Sequence, residues 1–255
     1  NNFKMSRYAL QFAYDGGSFH GYQIQPNASS VQAELEEKLS QLVGEVISIT
    51  GSGRTDTGVH ASHQIAHFDT ESSIDSNFVY RLNRMLSPAL TAQAIYSVAD
   101  DFHARFDATS RIYEYRITRH KNPFLRDFAY WYEADLYVEA MNEAAQLLLH
   151  HTDFQCFSKV KTEVNTFECT IMRAAWELRG DTLVFTIEGN RFLRGMVRAV
   201  VGTLLEIGMG KWTKAELQRI LESKSRQEAG RAVPAQGLHL VKVNYPESSF
   251  GARCS

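Results

Sequence analysis

Two residues are too few to join anything but neighbouring antiparallel strands, and two residues separate a pair of alternating runs late in this 255-residue chain. Met172, Ala174, Trp176 and Leu178 place apolar side chains at every second position, Gly180-Asp181 follows, and Leu183, Phe185 and Ile187 alternate on the way back. Strands are also expected over Arg7 to Tyr14, around Gln93 to Val98 and over Ser110 to Ile117. In the third of these, Tyr113, Tyr115 and Ile117 share the buried face. Helical spacing of Val31, Leu35, Leu39 and Leu42 follows Ser29 and Ser30, with Gln32 expected to close a capping box on Ser29. Further helices are expected from Asp75 or Ser76 to Met85, from Asp135 to His151 and from Asn190 to Ile207. A last one should open at the capping box Thr213 to Glu216. Periodicity alone yields an α+β fold with mostly antiparallel strands.

Chemistry concentrates in Gly51 to Ala61, where three glycines, Arg54, Asp56 and His60 fill a turn between the apolar runs Ile47-Ser48-Ile49 and Ile65-Ala66-His67-Phe68. Arg54, two residues from Asp56, is expected to keep that carboxylate ionised, as a nucleophile or general base requires. The plain alternative is a glycine-rich turn with a local ion pair. Asp56-Thr57-Gly58 is also the triplet of aspartic proteases. That chemistry needs two carboxylates sharing a proton, and the chain has no second D-T-G or D-S-G.

Gly53 to Ala61 reads G-R-T-D-x-G-V-H-A and resembles the catalytic loop of the TruA family of tRNA pseudouridine synthases. The likeness continues in Tyr14 to Gln23, with Tyr22 where the family usually has Trp. It extends to F-H-A-R-F-x-A at Phe102 to Ala108, R-x-Y-x-Y at Arg111 to Tyr115, D-F-x-x-F at Asp153 to Phe157, the N-x-F-L and M-V-R run at Asn190 to Arg198, and the closing strand from Pro234. The resemblance implies the pseudouridine synthase fold: two α/β halves, 1–104 and 105–255, with a mainly antiparallel sheet around a basic cleft floored by Asp56. It implies an isomerase that turns uridine into pseudouridine at positions 38 to 40 of the tRNA anticodon stem-loop, a homodimer, and no cofactor or metal. The catalytic residues implied are Asp56, Tyr113 and Arg198, with Arg198 the partner of the carboxylate. Arg54, His60, Arg111 and Tyr113 are implied to bind substrate. A non-catalytic RNA-binding protein is the alternative, and it would have no use for Asp56.

Net charge is -2, yet His103 to Arg126 carries six Lys/Arg against Asp107 and Glu114, and Arg191 to Arg231 nine against four Glu. These segments sum to +4 and +5 and leave about -11 elsewhere, which suits one basic face toward nucleic acid. Cys156, Cys169 and Cys254 are odd in number and lack C-x-x-C spacing, against a disulfide framework or structural zinc and in keeping with a reducing cytoplasm. No apolar run approaches the ~18 residues of a membrane span. The polar start Asn1-Asn2-Phe3-Lys4 is expected not to be a secretory leader, with Met5 the expected native start.

Overall fold

The computed structural model describes residues 5–160 and 164–255, so the polar start Asn1 to Lys4 lies outside the described residues. In chain order the elements are β1 (Ser6–Tyr14), α1 (Val31–Val43), β2 (Thr50–Gly51), β3 (His60–Thr70), α2 (Phe78–Asn83), β4 (Leu90–Ser97) and β5 (Ser110–Thr118). They continue as β6 (Tyr130–Trp131), α3 (Val138–Ala145), β7 (Ile171–Arg179), β8 (Thr182–Gly189), α4 (Met196–Gly208), α5 (Lys214–Ser223) and β9 (Leu238–Asn244). The chain divides into two units, one of Asn1–Thr109 with Leu240–Ser255, the other of Ser110–His239.

In the first unit β1 is central, antiparallel to β4 on one side and to β3 on the other; β2 pairs with β3, and β9 adds beside β3. Both faces of β1 are covered, which an alternating strand permits only if layers lie on each side. Ala9 joins Ile65, Phe102 and Ala104 in one cluster, with Val98, Tyr245 and Phe250 packed on it. Leu10 and Phe12 are wholly buried on the opposite side. The N-cap of α1 is Ser30, whose hydroxyl accepts from Ala33 N–H at 3.2 Å, rather than Ser29. Gln32 then turns away to donate to Glu36 at 3.0 Å. Gly44 ends the helix at φ 80.

In the second unit the predicted hairpin forms, β8 lying antiparallel between β5 and β7, with Gly180 at φ 59 in the two-residue turn. Tyr113 faces Ile187 and Tyr115 faces Phe185, which faces Trp176 in turn. The short β6, which no apolar pattern announced, runs parallel to the end of β5. Outer strand β7 does not present a bare edge: Asn142 of α3 both donates to Trp176 O at 3.1 Å and accepts from Trp176 N–H at 2.7 Å, and Gln146 reaches Ala174 O at 3.4 Å.

Three helices are shorter than their patterns. The second keeps only Phe78–Asn83, and the third becomes a 3-10 turn after Ala145. The fourth starts at Met196 instead of Asn190, because Gly195 at φ 72 breaks the helical path just before it. Arg194, four residues before Arg198, lies outside the helix, so the shared helical face that this spacing would give does not form. No helix of the described residues is long and apolar enough to cross a membrane.

Candidate active site

The Asp56 loop is shaped by what lies beneath it in the first unit. Thr55 turns inward, 8% exposed, and its hydroxyl meets the Tyr14 hydroxyl at 2.8 Å. Its carbonyl accepts from Tyr22 N–H at 3.2 Å. Val59 N–H closes a turn on Asp56 O at 3.1 Å, with Gly58 at φ 82. A side chain at Gly16 would lie 1.9 Å from Val59 O, and one at Gly21, where φ is 95, would lie 3.0 Å from Thr55 O. The glycines of Tyr14 to Gln23 thus let two backbones touch, which is the physical reason those two motifs go together. Gln64, wholly buried in an apolar stretch of β3, bonds Ser52 Oγ and donates to Gly53 O at 3.2 Å. Asp56 itself is half-buried on this fixed base.

His60 is 3% exposed. Gly16 N–H donates to its Nδ1 at 3.0 Å, and Asp15 Oδ1 lies 3.1 Å from the same nitrogen. One nitrogen cannot accept from the amide and donate to the carboxylate at once. The amide proton is fixed, so Nδ1 is the acceptor and Asp15 takes its hydrogen bond from Gly17 N–H at 2.9 Å instead. Arg54 is exposed and makes no ion pair or hydrogen bond among the described residues. The local Arg54–Asp56 pair expected from adjacency does not form.

In the second unit Tyr113 is half-buried, its ring edge-on to Phe192 at 5.3 Å and 90°. Arg111, two residues back on the same face, donates to Asn190 O at 2.7 Å. The Asn190 to Phe192 stretch therefore steadies both. Tyr115 is 0% exposed and donates to Pro234 O at 2.8 Å. Burial, then the nearby Tyr130 hydroxyl, pushes its pKa up despite the Arg198 charge, so Tyr115 stays a neutral donor. Arg198 Nε donates to Val233 O at 2.7 Å, and Arg198 O accepts from Val233 N–H at 3.1 Å. That strap, residues 230–234, is held down by Gly230 N–H on Thr203 Oγ1 at 2.9 Å. With Nε so committed, the terminal nitrogens of Arg198 are the part able to fork onto a carboxylate. No sequence pattern pointed to the strap, whose close approach is seen in the backbone that a Cβ at Gly202 or Gly230 would meet.

Much of the formal positive charge is met locally. Glu114 is contacted by Arg116 at 3.0 Å and by Arg179; burial raises its pKa, but those hydrogen bonds outweigh it and hold the carboxyl below its usual range. Arg219 pairs with Glu216 at 2.7 Å and Glu228 at 2.8 Å, and Lys224 with Asp153 at 2.9 Å. Glu114, Glu216 and Glu228 are already counted in the +4 and +5, so of these pairs only Lys224 with Asp153 draws a carboxylate from outside its segment.

The family model described as tRNA pseudouridine synthase matches residues 11–107 and 144–246. The chain is similar to the tRNA pseudouridine synthase A of Bacteroides thetaiotaomicron, 47% identical over 96% of this chain and 93% of that one. Similarity to the proteins of that name from Parabacteroides distasonis (47%, 96% and 98%) and Halalkalibacterium halodurans (45%, 92% and 90%) is as broad. A match of this extent, over motifs whose glycines and hydrogen bonds build the Asp56 loop, places the chain in the tRNA pseudouridine synthase family.

Proposed function

We propose that this protein is an isomerase that converts uridine to pseudouridine in tRNA, at positions 38 to 40 of the anticodon stem-loop. The observation that carries the reading is a half-buried carboxylate, Asp56, on a loop pinned from below in a chain of this family. In the reaction the bond from uracil N1 to ribose C1′ breaks, the base turns, C5 bonds to C1′, and the C5 proton is lost while N1 gains one. Nothing else is consumed, so the reaction calls for no cofactor. Asp56 acts on the sugar as nucleophile or base. Tyr113 stacks on the uracil and takes the C5 proton. Arg198 supplies the cation that keeps the carboxylate charged where water is excluded. The roles given to Asp56, Tyr113 and Arg198 rest on the resemblance of their motifs to those of the family, with an N-terminal part, 1–104, carrying the first and a C-terminal part, 105–255, the other two.

A paired base must leave its stack to be reached, which costs a few kcal/mol. Exposure suits Arg54 to fill the gap, whereas the burial of His60 suits it to hold the loop. Arg111 binds the substrate backbone. The protein works in the cytoplasm as a homodimer. The non-catalytic alternative gains no support from relatives that are named as synthases. The test is incubation of unmodified tRNA transcripts with the protein, followed by chemical mapping of pseudouridine. Conversion at positions 38 to 40 is expected, and absence of conversion at every uridine would overturn the reading.

A further inference from the structure

The turn from His103 to Asp107 is tied down at each of its backbone N–H groups, yet it holds an aromatic ring in solvent. His103 N–H donates to Asp107 Oδ2 at 2.7 Å, and Asp107 N–H returns to His103 O at 3.0 Å. The amides of Arg105 and Phe106 both donate to His103 Nδ1, at 3.2 and 3.3 Å. Ala104, wholly buried, donates its N–H to His67 Nδ1 at 3.0 Å and accepts from the Tyr245 hydroxyl. Burial, with the Arg7 and His103 charges, lowers the His67 pKa to about 4, so that acceptor persists at neutral pH.

Phe106 is nonetheless 73% exposed. Its ring lies 4.2 Å from the His103 ring at 32°, and the Arg105 guanidinium is 5.6 Å from its centroid. An exposed phenylalanine normally gains nothing from rigidity, because neither its burial nor its packing depends on the turn. A rigid aromatic beside a cation is instead what a nucleobase stacks on with little entropy lost. Asp107, whose carboxylate belongs to the same turn, argues against a bare phosphate as the ligand, since it offsets the Arg105 charge.

We infer that Phe106, backed by His103 and flanked by Arg105, is a stacking platform for an unpaired base of the RNA substrate, separate from the target uridine. The inference rests on RNA being the substrate, as proposed above. The experiment measures binding of an unmodified tRNA transcript by wild type, Phe106→Ala, Phe106→Leu and Phe106→Trp, with pseudouridine formation by wild type in the same preparations. Affinity should fall about tenfold in the Ala and Leu variants and be held by Trp, because leucine keeps apolar area but has no π-face. Thermal melting should be unchanged, as the ring packs on no core residue. If wild type converts uridine while the Ala variant binds as tightly as wild type, the platform is refuted and the function stands. Equal binding by Leu and wild type would refute stacking in favour of a plain apolar contact, as for a protein partner. If wild type neither binds nor converts tRNA, both readings fall together.

Discussion

Gly202 sits in the middle of α4, where alanine ordinarily stabilises a helix by about 1 kcal/mol over glycine. Here a Cβ would lie 1.8 Å from the carbonyl oxygen of Arg231, a backbone atom that no rotamer change can move aside. The 230–234 strap would have to retreat by about 1 Å or more before the contact became tolerable. That strap makes the Gly230 bond to Thr203, the two bonds between Val233 and Arg198, and the Tyr115 bond to Pro234. At about 1 kcal/mol each, losing three or four outweighs the helical gain and leaves Gly202→Ala less stable by about 2–3 kcal/mol. Gly208, in the same helix, would meet the Met141 sulfur at 2.6 Å and a Leu136 methyl at 2.9 Å, both ends of flexible side chains. Gly208→Ala should therefore cost clearly less. Urea unfolding of both variants reads this order directly. Because the strap anchors Arg198 Nε, pseudouridine formation per folded Gly202→Ala molecule should also fall, by about tenfold or more. A Gly202→Ala variant as stable as wild type, or more so, would show that helix propensity dominates and the strap is not fixed by this contact.

Tyr22 is 4% exposed and its hydroxyl has no hydrogen-bond partner among the described residues, so Tyr22→Phe should leave stability equal or raise it by up to about 1 kcal/mol in a denaturant melt. A loss of stability there would reveal a bond made by that hydroxyl. Tyr113→Phe should retain tRNA binding but slow product formation at a late step; Tyr115→Phe should cost about 1–2 kcal/mol of stability with turnover per folded enzyme unchanged. The reverse pattern would place the catalytic tyrosine at 115. His63 and His67 are both held near pKa 4, chiefly by burial, against an ordinary 6.5. The unfolded chain therefore takes up protons that the fold refuses, and stability falls as pH drops from about 6.5 toward 4. Midpoints of urea unfolding at pH 7 and pH 5 should differ in that sense, above the range where carboxylates titrate, and equal midpoints would contradict it.

The hairpin at Gly180-Asp181 was legible because a two-residue turn and a period of two leave one topology, and the tyrosine faces of β5 followed from the same period. Helix ends were less legible. Ser29 and Ser30 are equal candidates by residue type, but the Ser29 carbonyl is taken by His20 N–H at 2.9 Å and the cap falls to Ser30. At Asn190 to Gly195 the apolar spacing reads as helix, but Gly195 at positive φ turns the chain before the first helical bond. Within the site, Asp56 stood out because its neighbours are glycines, while the Arg54–Asp56 pair was misread: proximity in sequence sets no side-chain direction, and Thr55 is the residue drawn inward. The burial of His60 and the strap behind Arg198 depend on backbones brought together from distant positions, at Gly16 with Val59 and at Gly202 with Arg231, which no local pattern encodes.

Asp56→Asn tests the central claim most directly. The carboxamide keeps the size of the side chain, and the loop backbone is held at Thr55, Gly16, Gly21 and Gln64, so melting temperature and tRNA affinity should stay close to wild type. Pseudouridine in the tRNA transcript, mapped after long incubation, should be undetectable. Substantial conversion by a folded, tRNA-binding Asn variant would mean that another group does the chemistry assigned to Asp56.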